Sequence, residues 1–243
     1  MLLPPLLRGR LVRRYKRFLA DVVLDSGEEI TAACPNTGAM LGLADPGMTV
    51  WLSVSQKPTR KYRHTWEIVE LTNGAAPCLV GINPMRPNAI LAEAIAASLV
   101  PELGGYERMR REVNYGERSR VDLVLEGGGR PACYVEVKNV HLSRERGLAE
   151  FPDCVTARGR RHLAELAAMA AAGARAVMVY LVQRDDARAF TLAGDIDATY
   201  VAAHRAARAA GVEAFAYGCR LTPETIFLTG RVPIIEPPTD KHP

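Results

Sequence analysis

Residues 119–140 read SRVDLVLEGGGRPACYVEVKNV, and the fold turns on how this stretch pairs with itself. Strand alternation puts Tyr134, Glu136 and Lys138 on one face and Val135 and Val137 on the other. The preceding run places Asp122 and Val124 together, opposite Val121, Leu123 and Leu125. GGGRP between the runs is a five-residue hairpin loop. If Glu126 pairs with Ala132 across it, Asp122 falls opposite Glu136. Two facing carboxylates repel, and a divalent cation removes the conflict; their hard oxygens suit Mg2+ or Mn2+. Lys138 is one of only five lysines in an arginine-rich chain, yet it stands in an apolar strand two residues from an acid. A compact ammonium there can neutralise developing phosphorane charge or position a water. On E-x-K alone an exposed Glu/Lys pair on a strand face is the better explanation; Asp122 at hairpin register, in the right element order, turns the reading toward a metal site.

Outward from this core, element order argues for α/β. A helix is expected over about Ala89–Leu99 with Asn88 as its cap, then strands near Arg110–Tyr115, Arg120–Leu125 and Ala132–Val140. Thr156 caps a helix reaching Ala172, stopped by Gly173. The buried strand AVMVYLV follows, then a helix from about Asp197 to Ala210 and the strand VEAFAYGC. Before residue 84 the pattern differs: RLVRRY, RFLADVVL, EEITAAC, MTVWLSV, HTWEIVEL and APCLVGI are short apolar runs separated by turns, including Asn73-Gly74. That pattern predicts a small antiparallel barrel or sandwich. Asn83-Pro84-Met85-Arg86-Pro87-Asn88 punctuates the chain, so the domains are set at 1–83 and 84–243.

With 243 residues and 48% hydrophobic content, the chain has ordinary globular composition. The five scattered cysteines form no C-x-x-C pair, so neither a disulfide framework nor a zinc knuckle is indicated. MLLPPLL is too short and proline-broken for a signal core, and the apolar stretch Leu163–Val182 is interrupted by Glu165 and Arg175. A soluble cytoplasmic protein without a membrane partner is expected. The net charge of +4 permits a polyanionic partner, and its distribution says more. Arg13, Lys16 and Arg17 belong to one acid-free basic run; Lys61 and Arg63 belong to a second. Tyr15 and Tyr62 are interleaved with them, the mixture that stacks bases and holds phosphates, whereas Phe18 and Trp66 are assigned to the core. Arg118 and Arg120 precede Asp122, and Arg158 and His162 share one helix face. All four are candidate phosphate contacts, with turn and surface positions as the plain alternative.

Asp122, then Glu136-Val137-Lys138 between two helices, resembles the PD-(D/E)xK nuclease superfamily, although Val121 replaces the usual proline. The resemblance implies that Asp122 and Glu136 bind metal and Lys138 assists water. It also implies a further acid, for which Glu112, Glu102 and Glu93 are candidates and Glu112 is carried forward. More specifically, RYKRFLADV, CPNTGAM, RKYRHTWE, EVNYGERSRVD, YVEVKNV and FPDCVTARGRRHL resemble the sugar fermentation stimulation protein family across nearly the whole chain. That similarity implies an α+β two-domain protein, an N-terminal OB-fold-like β-barrel followed by a PD-(D/E)xK (restriction-endonuclease-like) α/β domain, and DNA binding. The expected function is a DNA-binding protein with a metal-dependent nuclease site. The alternative is a non-catalytic DNA-binding regulator of sugar-utilisation genes, and neither motif excludes RNA.

Overall fold

The computed structural model of the protein describes residues 1–72, 77–115 and 119–236. The expected Asn73-Gly74 turn and Arg118 lie outside the described residues.

Strands β1 (Leu6–Tyr15), β2 (Leu19–Leu24), β3 (Glu29–Ala33), β4 (Thr49–Val54) and β5 (His64–Leu71) run in the order β3-β2-β1-β4-β5, with β6 (Cys78–Gly81) beyond β5. Pairing of Ala33 with Thr65 joins β3 to β5 and closes a five-stranded barrel. One strand must serve two neighbours for the sheet to curl, and β1 does so. Its first half pairs with β4 and its second with β2, past an irregularity between Leu11 and Arg13. At the crossover Gly9 pairs with both Leu24 and Val50, and a Cβ there would stand 2.7 Å from Val22 Cγ1 and Val23 O. Only glycine allows that approach. Leu11, Val22, Val50, Leu52 and Trp66 fill the barrel. Trp66 meets its core assignment, but Phe18 is 50% exposed. It falls in the β1–β2 turn, where Lys16 and Arg17 take left-handed backbone angles, one residue short of the inward-facing strand.

The chain then enters α1 (Pro87–Ala96), followed by β7 (Arg108–Tyr115), β8 (Ser119–Glu126), β9 (Cys133–Val140), β10 (Leu142–Glu145), β11 (Leu148–Phe151), α2 (Ala157–Ala171) and β12 (Arg175–Val182). β13 (Ala189–Leu192), α3 (Ala198–Ala209), β14 (Glu213–Leu221), β15 (Ile226–Arg231) and β16 (Ile234–Ile235) complete it. The main sheet runs β15-β14-β12-β9-β8-β7, with β9, β12 and β14 parallel. β12 is buried on both faces, which is why AVMVYLV shows no polar alternation. Val177, Val179 and Leu181 pack toward Ile90 and Leu91 of α1; Met178, Tyr180 and Val182 pack toward Leu163 and Leu166 of α2. Each such side chain contributes about 1.5–3 kcal/mol relative to exposure. Thr156 caps α2 by accepting from the Gly159 amide, and Asp197 caps α3 by accepting from that of Tyr200.

Two further expectations change. A small sheet, β10-β11-β13-β16, goes unpredicted because its strands are two to four residues long and carry polar residues. And α1 begins earlier than Asn88, with Arg86 at its N-cap making no side-chain cap bond. Arg86 is engaged elsewhere. The carboxylate of Glu67, fully buried on β5, takes the Arg86 guanidinium through two bonds of 2.9 and 2.6 Å, and also the Asn83 amide and Ser53 hydroxyl at 2.7 Å each. This cluster fastens the barrel to the start of α1. Removing one partner of a buried pair strands the other, so Glu67→Ala is expected to cost about 3–5 kcal/mol. A lower urea midpoint at unchanged slope would show it.

Candidate functional site

The β8–β9 ladder pairs Leu125 with Cys133, Val124 with Tyr134 and Leu123 with Val135, which is the register that sets Asp122 toward Glu136. There the ladder stops. Asp122 pairs with neither neighbour: on the other side Arg111 meets Leu123 and Val113 meets Val121, while Glu112 between them adopts a φ of 52°. The break re-aims the strand. Val121 packs with Tyr115 and Val124 rather than with Leu123 and Leu125, correcting the simple alternation. It also frees the Asp122 side chain to do the work of the missing backbone partner. Its Oδ2 accepts from the Val137 amide and its Oδ1 from Asn88 Nδ2, both at 2.7 Å. Asn88 is thus a holder of Asp122 instead of a helix cap.

Glu136 is 2% exposed. Its Oε1 accepts from Lys138 Nζ at 2.8 Å and from His162 Nδ1. Arg158 Nε donates to His162 Nε2 at 3.2 Å, while Nδ1 faces both Glu136 Oε1 and, at 3.2 Å, Lys138 Nζ. His162 is therefore spent on orienting Glu136, a use that leaves no free nitrogen for a general base. The two acids are driven apart. Burial, then the Glu136 charge, push Asp122 above the usual carboxylate range despite its two hydrogen bonds. Burial pushes Glu136 up too, but Lys138 and His162 outweigh it and hold that carboxyl low.

Asp122, Glu136, Lys138, Glu112, Arg120, Arg158 and His162 all line one cavity of about 540 Å³. Glu112 sits near its mouth, paired with Arg120 at 3.1 Å. Glu93 binds the N-terminal amine, and Glu102 binds Tyr217 and Arg231; neither lines the cavity. No group of three or more His, Cys, Asp or Glu side chains suited to a metal occurs among the described residues. What the acid pair offers is two carboxylates, with Glu136 Oε2 buried and lacking a hydrogen-bond partner. A hard cation that keeps several waters, as Mg2+ does, fits such a donor set.

The barrel candidates lie outside this cavity. Arg13 pairs with Asp21 at 2.8 Å and stacks over Tyr15, whose hydroxyl also donates to Asp21, so these two are already engaged. Lys16, Arg17, Lys61 and Arg63 are exposed, and Lys61 lies over Tyr62. Two contributors escaped the sequence reading. One is the barrel loop Pro35–Gly38, which forms a wall of the cavity; the other is His141 with Asp153. Neither has a spacing signal, because partners more than a hundred residues apart meet there: Asn36 touches His141, and Met40 donates to Asp153.

A closed OB barrel joined to a restriction-endonuclease-like domain, with two acids and a lysine at the break between its strands, defines the class. The chain belongs to the sugar fermentation stimulation protein family, SfsA. The family's N-terminal OB domain matches residues 12–82 and its RE domain residues 85–225. It is 58% identical over 231 residues to the sugar fermentation stimulation protein homolog of Azorhizobium caulinodans, covering 95% of this chain and 98% of that one. The homolog of Brucella anthropi is 56% identical over 230 residues, covering 95% and 97%. Pyrococcus furiosus SfsA, solved in complex with Ca2+, superposes with a TM-score of 0.85 at 28% identity over 97% of this chain and 98% of that one. Among the described residues, no helix is long and apolar enough to cross a membrane.

The raised Asp122 makes a stability prediction with a definite sign. A carboxyl whose folded pKa lies above its unfolded value favours folding when protonated and loses that contribution as pH rises through the folded value. In metal-free protein, Asp122→Asn should therefore melt higher than wild type at pH 7. The gap should close below the ordinary aspartate range. Each kcal/mol corresponds to about 2–4 °C for a chain of this size. Thermal melts across pH in chelator would show it, and a lower melting point for the variant at pH 7 would refute the reading.

Proposed function

We propose that this protein binds DNA and hydrolyses its phosphodiester bonds at the Asp122–Glu136–Lys138 site. The observation that carries the reading is the pair of carboxylates at the strand break, Glu136 buried and Asp122 half-buried, with an ammonium in contact with one of them, inside a cavity lined by Arg111, Arg120 and Arg158. A structural pair would be neutralised more simply by apolar replacement; buried charge kept this close together suits a reacting centre. Asp122 and Glu136 would hold Mg2+ or Mn2+, which when bound supplies an activated water and offsets the charge growing on phosphorus. The Ca2+ bound by the Pyrococcus furiosus relative supports a hard-cation site in this family. Lys138 places its ammonium beside Glu136 to hold water and meet the developing charge. Arg158 and Arg120 face the phosphate oxygens, and Lys16, Arg17, Lys61, Arg63 and Tyr62 track the strand along the barrel.

The name of the relatives links them to sugar fermentation, which a purely regulatory DNA binder would also satisfy. Purified protein incubated with supercoiled, single-stranded and branched DNA, and with RNA, separates the two. With Mg2+ or Mn2+ we expect cleavage that chelator abolishes and that Asp122→Ala and Lys138→Ala each reduce by about 10²–10³-fold, with binding retained. Binding without cleavage of any substrate by wild type would leave the regulatory reading standing. Preferential cleavage of RNA would change the substrate and keep the chemistry.

A further inference from the structure

The cavity has a second polar wall that the acid pair does not use. His141 follows β9 and Asp153 follows β11, and both line the cavity. Asp153 Oδ2 accepts from His141 Nε2 at 3.2 Å and from the Met40 amide at 3.0 Å. A carboxylate only accepts, so Nε2 carries a proton. Burial alone would raise Asp153, but the His141 ring and the Met40 amide hold it well below the usual range, which marks an ionised carboxylate against the imidazole. The other nitrogen, Nδ1, is buried with no hydrogen-bond partner, on a residue 6% exposed.

The barrel builds this arrangement. Gly38 presses so closely on Asp153 that a Cβ there would lie 2.4 Å from Oδ2, and its amide donates to Asn36 Oδ1 at 2.8 Å. Arg14 grips the carbonyls of Asn36 and Gly38 at 3.0 and 2.8 Å. A carboxylate, an imidazole and a clamped loop thus fix the ring while one nitrogen is left without a protein partner. Leaving such a buried group unsatisfied is costly, and a ligand oxygen in the cavity would satisfy it.

We propose that His141, as the doubly protonated imidazolium paired through Nε2 with ionised Asp153, is the general acid of the phosphodiesterase, donating its Nδ1 proton to the leaving oxygen, with Asp153 as its positioning residue. The proposal rests on the nuclease reading above. Attacking water forms the new P–O bond and releases its proton to solvent. The bond to the leaving sugar oxygen breaks, its electron pair stays on that oxygen, and the oxygen takes the proton from Nδ1. His141 then regains a proton from solvent. Lys138, beside the acid pair, holds the attacking water, while His141 serves the departing oxygen.

Comparing leaving groups in the full chain with Mn2+ tests this. An oligonucleotide needs a proton on its departing alkoxide, whereas bis(p-nitrophenyl) phosphate expels a p-nitrophenolate that does not. We expect His141→Gln and His141→Ala to slow oligonucleotide cleavage by about 10²–10⁴-fold and the aryl ester by less than about threefold. Asp153→Asn, which keeps an acceptor for the Met40 amide, should lower the same oligonucleotide-to-aryl ratio by a smaller factor, about tenfold. Melting temperatures of the variants identify any that fail to fold, and His141→Gln and His141→Ala provide independent checks. Equal slowing of both substrates by a folded variant overturns the assignment, as does no slowing of either. Wild type that cuts neither substrate overturns the nuclease reading and this proposal together, a result distinct from an unchanged ratio.

Discussion

A carboxylate with no water around it needs every lone pair answered, and Glu67 meets that demand by recruiting residues from two parts of the chain. Ser53 comes from the barrel; Asn83 and Arg86 come from the segment leading into α1. Because Arg86 is held at the helix N-cap, α1 starts at Pro87 and sets Asn88 one residue into its first turn, within reach of Asp122. The position of the first acid therefore traces back to a buried charge in the other domain. Apolar contacts reinforce the connection, since Ile68 of β5 shares a cluster with Ile90, Leu91 and Val135.

Much of this was legible in residue order. The alternation of YVEVKNV and the length of GGGRP yield the register observed between β8 and β9, because a hairpin loop leaves few pairings that keep the valines inward. Thr156, Asp197 and Gly173 announce their helix ends through local hydrogen bonding, which sequence records directly. What stayed hidden depended on distant partners. Asn88 satisfies the local rule for a helix cap, and only the tertiary position of Asp122 gives its amide another use. Val121 obeys alternation until the ladder breaks beside it, and nothing in SRVDLVLE marks that break. His141 carries no ligand spacing because Asp153, Asn36 and Gly38 reach it through folding alone.

The site shows how one small volume can keep acids in different states. Glu136 has two cationic or proton-donating neighbours on a single oxygen, and Asp122 has only neutral amides. Asp153, in the same cavity, is answered by an imidazole and a backbone amide. Three carboxyls in one pocket thus differ by partner chemistry: Glu136 is buried and the other two are half-buried, yet only Asp122 is pushed up.

The loop Pro35–Gly38 has a consequence for how the domains are used. It belongs to the barrel by sequence, yet it supplies part of the wall around the acid pair and leans on Asp153 through a glycine. A restriction-endonuclease-like half expressed alone would keep its acids and lysine but open to bulk water on that side, with His141 no longer braced. The two halves are co-dependent parts of one chamber, so inheritance of either without the other would yield a fold with that cavity unwalled on one side.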